Sequence, residues 1–537
     1  MIMKRIFIAL LVVFGTFSLC VNATENIHWY TDSLPCVSWG LFELDLLKSD
    51  SEATVYYANG SVHPGYDMDV FRHTYGCLLQ RIDNRTGKDS VLNVVLFGEG
   101  DQQRNLKCFK VINGEPHLFS TRFNKLSNGI DVYVQTIDLE KFCLRDDLRH
   151  ITTILSEADL SMVYGLSLRV EAMNGMRLFK YDYHEGKNER RVHEVLDSKF
   201  RSVWVKDVNT PVAEGVNYET DYVLNAQGDV YTIQSNFPTN KKDPAKIENR
   251  TPYLICYAKD QPKPKARKLK LVGDRLVVGE AISINKEGQV VCTGLYAEPK
   301  TRSATGAFTI IFSPDLATVV HQSEVAFDRS FFLKGVPEKK KASLNKTLDK
   351  KKDFEDNFFY AFDTIHYHRD GGFDVAIEKQ RIFYQRDTRL GITQAHHTFS
   401  DVIILRCEAD GSFRWYNKIP KEQYLWGYYE MLGRYVKGYG KDDEMVFLYN
   451  QTDMSSKSIR VKLGKESKTF MVTFDKDGKE TVQEIIHDPA LTNSLALRFS
   501  RIEPDGTIKL VKSNQFTATL KDYFKCPTIQ FGELKLP

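Results

Sequence analysis

Beyond its first two dozen positions the 537-residue sequence contains no run of eighteen apolar residues, no CxxC pair, few prolines (17) and almost no net charge, with 73 Lys and Arg against 70 Asp and Glu. Each shortage excludes something. Without long apolar runs the body of the chain has no membrane-spanning helix. Near-neutral charge gives no field that would gather nucleic acid or an anionic bilayer, so no nucleic-acid partner is expected. The absence of paired Cys or Cys/His spacings argues against a zinc or redox centre held by sulfur. G-x-S-x-G, H-E-x-x-H, P-loop and G-x-G-x-x-G motifs are missing as well, which removes the most recognisable hydrolase, metalloprotease and nucleotide-binding chemistries. Nor is a 3.6-residue apolar periodicity sustained anywhere, which argues against a helical protein.

What is present is aromatic residues, 12% of the chain, and short β-patterned runs joined by turn residues. Leu106 to Ile112, His117 to Phe123 and Ile130 to Ile137 are separated by Asn113-Gly114 and Asn128-Gly129, and read as a three-strand meander. Asn174-Gly175 repeats the device. Looser turns follow at Asn225 to Gly228 and Asn285 to Gly288, and Asp-Gly turns at Asp370-Gly371, Asp410-Gly411, Asp477-Gly478 and Asp505-Gly506. Turns at this spacing predict an all-β chain of antiparallel strands. Trp204 and Trp415 each fall early in a strand just after a turn, as wedging tryptophans do in propeller blades. At roughly 45 to 60 residues per blade, a β-propeller-like fold of about seven or eight blades fits; stacked β-sandwiches are the competing arrangement.

At the amino end, Met1 to Arg5 is basic, Ile6 to Val21 is apolar and Val21-Asn22-Ala23 offers a cleavage site. Residues 1–23 therefore read as a signal peptide and the chain as exported, to the periplasm, outer surface or medium; acylation of Cys20 is disfavoured by Leu19 before it. Eight cysteines follow. Cys108, Cys256, Cys292 and Cys407 sit inside apolar runs and are expected to be free thiols of the core. Residues 24–336 and 357–537 are read as two parts of the propeller. Between them, 337–356 is a lysine-rich linker or insertion, and Lys259 to Lys270 is a second basic stretch, read as a loop.

The segments FFYAFDTIHYHRDGGFDVAIEKQ (358–380), HHTFSDVIILRCEADGSFRWYNKIPKEQ (396–423) and MVFLYNQTD (445–453) together resemble the uncharacterised exported propeller-like proteins common in Bacteroidetes. The N-terminal half, with VINGEPHLFSTRF and INKEGQVVCTGLY, is similar in style. The resemblance implies a propeller and an exported location, and brings no activity with it.

The candidate chemistry clusters in the same region. His366 and His368 lie two apart on a predicted strand and so share a face, a spacing that suits two metal ligands, with Glu378 the carboxylate to complete them and His396-His397 close in sequence. The signature of a His-x-His metalloenzyme is absent, so they are taken as strand histidines and neither metal nor other cofactor is expected. Asp374, Glu378, Asp401 and Glu430 could supply a glycosidase-type pair. The aromatic run from Tyr424 to Tyr429, flanked by Lys421 and Gln423, could stack on sugar rings or peptide side chains. The binding residues expected are Glu378, Gln380, Lys421, Gln423, Trp426 and Tyr429, and the ligand a glycan or peptide. The function read from the sequence is a non-catalytic exported binding or scaffold propeller, with a polysaccharide hydrolase or lyase using channel carboxylates as the alternative.

Overall fold

In the computed structural model the described residues are 27–30, 34–35, 44–50, 52–58, 76–96, 104–155, 166–185, 188–208, 216–237, 250–299, 301–350, 358–387, 392–426, 433–452, 467–488, 494–503, 505–513 and 528–535. The proposed signal peptide lies outside them.

The two turn classes in the sequence have different backbones. Asn113 and Gly114 have φ of 52° and 80°, and Asn174 and Gly175 have 51° and 78°, the double positive-φ geometry of a two-residue hairpin. The Asp-Gly turns carry positive φ on the glycine alone, 88° at Gly411. There Gly411 N donates to the Glu408 carbonyl and Glu408 N to the Ser412 carbonyl, so the hairpin closes through a longer turn with a left-handed glycine.

These hairpins build eight antiparallel blades arranged in a ring, a β-propeller. Blade I comprises Leu44–Ser49, Ala53–Ala58, Gly76–Asp83 and Asp89–Val95. Blade II comprises Asn105–Ile112, Glu115–Asn124, Gly129–Asp138 and Arg149–Leu155, and blade III Ser167–Met173, Met176–Glu185, Asn188–Leu196 and Ser202–Asp207. Blade IV comprises Val216–Leu224, Val230–Phe237, Thr251–Tyr257 and Lys265–Lys268, and blade V Leu276–Ile284, Val290–Ala297, Gly306–Phe312 and Val319–Ala326. Blade VI has a divided first strand, Phe359–Phe362 and His366–Tyr367. Its second and third strands, Phe373–Asp387 and Ile392–Cys407, are long, and its outer edge is shared by Phe413–Ile419 and Gln423–Trp426. Blade VII comprises Val436–Tyr439, Met445–Thr452, Ser467–Phe474 and Glu480–Asp488. Blade VIII joins the two ends of the chain: Ser494–Leu495 and Arg501–Ile502, then Thr507–Ser513 and Thr528–Lys535, and finally Ile27–Trp29, whose Ile27 pairs with Leu534 and Trp29 with Gly532. The expected seven or eight blades resolve to eight.

First strands of successive blades lie beside one another at the centre, and apolar clusters fill the wedges between blades. Blades II and III share Phe119, Ile130, Phe179 and Leu196, for instance, while blades VI, VII and VIII share Val402, Phe447 and Leu510. The two tryptophans act as wedges. Trp204 is buried between blades III and IV, its Nε1 donating to the Gly228 carbonyl at 2.8 Å. Trp415 Nε1 donates to the Lys476 carbonyl of blade VII at 3.0 Å, and its indole packs on Phe474.

Among the described residues there are two α-helices, Arg329–Leu333 and Glu338–Asp349, both between blades V and VI and the longer one within the lysine-rich segment; residues 351–357 lie outside the description. Among the described residues no helix is long and apolar enough to cross a membrane. The second basic stretch differs from its reading as a loop: Lys265–Lys268 is the outer strand of blade IV, with its lysines exposed along the edge. Charged edge strands resist pairing with other chains, which reconciles the composition with the conformation. The described cysteines Cys108, Cys143, Cys256, Cys292 and Cys407 are free. Burial pushes the Cys108 and Cys256 thiols up to about 12, so they stay protonated and behave as small apolar groups. Cys36, Cys526 and the side chain of Cys77 are outside the described residues.

Candidate functional site

The long hairpin of blade VI sets it apart. Its lower half is ordinary blade, with Val402 to Cys407 pairing with Phe413–Ile419. Beyond a bulge between Glu378 and Gln380 the hairpin continues, Gln380 to Asp387 pairing with Ile392 to Phe399. There it gains a different third strand, Gln423–Trp426, in which Tyr424 stands opposite Thr398 and Trp426 opposite His396. This three-stranded extension forms an arm of blade VI.

At its root, the sequence-nominated polar residues come together. Lys421 Nζ lies 2.6 Å from Glu378 Oε1 and donates to Gln423 Oε1 at 2.8 Å. Gln380 Nε2 donates to Glu378 Oε2 at 2.6 Å, while Gln423 Nε2 donates to the Asn450 carbonyl of blade VII, also at 2.6 Å. Arg434 Nε stands 3.5 Å from Glu378 Oε2. Glu378, Gln380, Lys421 and Gln423 are all buried, so this network faces inward and pins the arm to two blades. Burial lowers the Lys421 ammonium pKa, opposed by its pairing with Glu378. Trp426 is placed by its backbone, but its side chain, with Tyr429 and Glu430, lies outside the described residues.

Above the root, the alternation of strand side chains puts Arg381, Phe383, His396, Thr398 and Tyr424 on one face. The Phe383 and His396 rings stack at 4.7 Å and 7°, His396 Nδ1 is hydrogen-bonded to Tyr424 Oη at 2.7 Å, and the Arg381 guanidinium lies over the Phe358 and Phe383 rings. Three buried polar atoms on this face have no hydrogen-bond partner among the described residues: Arg381 Nε, His396 Nε2 and Thr398 Oγ1. Burial, with the neighbouring His397, lowers the His396 pKa, so its imidazole is neutral near pH 7. On the opposite face Tyr384 is 73% exposed and Ile382 41%. Arg381, Phe383 and Thr398 were not singled out in the sequence, where Arg381-Ile382-Phe383-Tyr384 shows no polar/apolar alternation to mark one face.

The carboxylates weighed for catalysis are dispersed. Asp374 and Glu378 share a face of one strand four residues apart, about 13 Å. Asp374 is fully buried beside His368 and Arg406, Glu378 is held by Lys421, and Asp401 faces Lys418 at 3.4 Å. Glu378 is thus committed away from His366 and His368. The carboxylate that joins those histidines is Asp443, from the first turn of blade VII.

No protein-family model matches the chain, and no curated protein matches its sequence. Among solved structures, the polysaccharide lyase Uly1 is similar over 83% of this chain and 92% of its own, at 10% identity and a TM-score of 0.32. A PL25 ulvan lyase bound to a GlcA–Rha3S repeat matches over 78% of this chain and 90% of its own, at 10% identity and a TM-score of 0.34. A prolyl endopeptidase matches over 92% of this chain and 56% of its own, at 9% identity and a TM-score of 0.36. At this level of likeness none of them bears on what this chain binds.

Proposed function

We propose that this protein is an exported, non-catalytic binding propeller and that the arm of blade VI is its ligand platform, taking an acidic glycan. The observation that carries this reading is the row of unpartnered polar atoms, Arg381 Nε, His396 Nε2 and Thr398 Oγ1, beside the stacked Phe383 and His396 rings. A buried polar atom without a partner costs on the order of 1–3 kcal/mol, and a bound hydroxyl or carboxylate would relieve that cost. Aromatic faces suit the flat faces of sugar rings, and the Arg381 guanidinium suits a carboxylate or sulfate. The wide separation and individual ion pairing of Asp374 and Glu378 favour binding over two-carboxylate hydrolysis, which requires carboxyl groups within about 10 Å.

Affinity electrophoresis through gels holding uronic-acid, sulfated or neutral polysaccharides tests the proposal. Retardation by an acidic polymer, lost in Arg381→Ala at unchanged melting temperature, is the expected result. No retardation by any of the polymers would overturn the glycan reading. Release of unsaturated uronate or new reducing ends during incubation would instead favour the lyase or hydrolase alternative.

A further inference from the structure

At the opposite end of the blade VI hairpin from the arm, the structure brings together groups from two blades. His366 opens the second piece of the divided first strand, His366–Tyr367, where it pairs with Asp374 at the backbone, and His368 directly follows that strand. Asp443 comes from the turn between Val436–Tyr439 and Met445–Thr452 of blade VII. A nitrogen from each histidine and a carboxylate oxygen of Asp443 all lie within 4.8 Å of one another. His368 Nδ1 is 3.5 Å from Asp443 Oδ1.

Four further contacts orient these groups. His368 Nε2 lies 2.8 Å from Asp374 Oδ2, which is fully buried. The Asp374 carboxylate beside Nε2 resembles the outer carboxylate–histidine arrangement of metal sites, and Nδ1 is the ring nitrogen on the side of Asp443. Although the His368 side chain is only 2% exposed, neither of its ring nitrogens and neither Asp374 carboxylate oxygen has a hydrogen-bond partner of good geometry among the described residues. Arg406 stands 3.6 Å from Asp374 and donates to the Asp443 carbonyl at 3.3 Å, fixing the turn. The His366 ring stacks on Tyr439 at 3.6 Å and 15°.

We infer that His366, His368 and Asp443 form a binding site for a first-row divalent transition metal ion, zinc being the natural probe, with Asp374 orienting His368 from behind. Two imidazoles and one carboxylate suit zinc or iron(II) and are a poor set for calcium or magnesium, which take oxygen ligands. Tetrahedral zinc, with bonds of about 2.0–2.1 Å, holds its ligands about 3.4 Å apart, close to the spacing of His368 Nδ1 and Asp443 Oδ1. Three protein ligands leave at least one coordination position over. The Asp443 side chain is 39% exposed, so that position is within reach of solvent. The site joins blades VI and VII, and it stands apart from the arm and independent of what the arm binds.

The test is titration of the full chain, stripped by chelator, with Zn(II) by calorimetry and with Co(II) by visible absorption. One equivalent of each metal should bind, Co(II) giving the ligand-field bands of a low-coordinate nitrogen and oxygen site, and Zn(II) should raise the melting temperature. Asp443→Asn, at a half-exposed turn position, should keep the fold and weaken binding at least about ten-fold, while Asp374→Asn should weaken it about 10- to 100-fold through the orientation of His368. His487→Ala, on the outer strand of blade VII, should leave it unchanged. The inference is overturned if neither metal binds saturably, or if Asp443→Asn and His366→Ala both bind as the parent does.

Discussion

Trp204 crosses a blade boundary, its indole Nε1 hydrogen-bonded to the carbonyl of Gly228 in the first turn of the next blade at 2.8 Å. The bond and the ring act together, since Val195, Leu224 and Val230 from the two blades pack in the same cluster. Trp204→Ala should therefore cost about 3 to 5 kcal/mol in urea unfolding, as for other large buried rings. Trp204→Phe, which keeps much of the volume and loses the donor, should cost less. Equal losses for the two variants would mean that the donor contributes most of the effect.

Glycines of similar φ should differ in tolerance. Gly114 has φ of +80° with nothing within 4 Å of a Cβ built on it, so Gly114→Ala should cost only the left-handed conformation, about 1–2 kcal/mol. Gly478 has the same φ, but a Cβ there would sit 2.9 Å from the Trp415 ring. Gly478→Ala should cost more and disturb the contact between blades VI and VII, which a change in Trp415 fluorescence would report.

The root of the arm allows a double-mutant cycle. Lys421→Met alone leaves Glu378 buried with reduced compensation and should destabilise by about 3 to 5 kcal/mol. Glu378→Gln combined with Lys421→Met removes both charges and should recover much of that loss. Additive losses would show that the pair is not coupled.

Blade IV carries a pH dependence of its own. Burial raises the Asp221 carboxyl to about 6, with the nearby Glu280 adding to it and hydrogen bonds from the Ile282 and Tyr222 amides opposing it. Its folded pKa lies above its unfolded value, so the protonated form favours the native state. Stability from this group is fully present below about pH 4 and is lost as pH rises through 6, roughly 3 kcal/mol in all. Glu219, two residues away, runs the other way. Burial would raise it, but His193 and Lys180 outweigh that and hold it at about 2, so its contribution is lost on acidification below about pH 4.5. Asp221→Asn should flatten the stability profile between pH 4 and 6 and leave the acid limb in place, as measured by urea midpoints.

Local chemistry made the fold legible. Asn-Gly and Asp-Gly turns fix φ within a few residues, and the wedge tryptophans sit beside turns that can be read from sequence. At the root, the two-residue spacings of Glu378 and Gln380 and of Lys421 and Gln423 marked out the polar groups, but read as ligand-binding residues; that they pair with one another, buried, depends on how the two segments meet in space. What escaped depends on distant pairing. Gln423–Trp426 joins the blade VI hairpin only because that hairpin outgrows its blade. Asp443 is 75 positions beyond His368 and meets it only once two blades dock. Lys265–Lys268 looked like a loop because an exposed edge strand needs no apolar alternation.

Blade VIII has a further consequence. Its outermost strand, Ile27–Trp29, precedes the other blades in the sequence, and its partner Thr528–Lys535 follows them all. A ribosome makes the first of these strands some five hundred residues before the second, so the circle stays open throughout synthesis and is completed by the longest-range strand pairing among the described residues. Seven blades can assemble in the order they emerge, whereas the eighth waits for a segment made at the outset. Bringing these two strands together closes a loop nearly as long as the chain, with the largest closure entropy of any strand pair among the described residues.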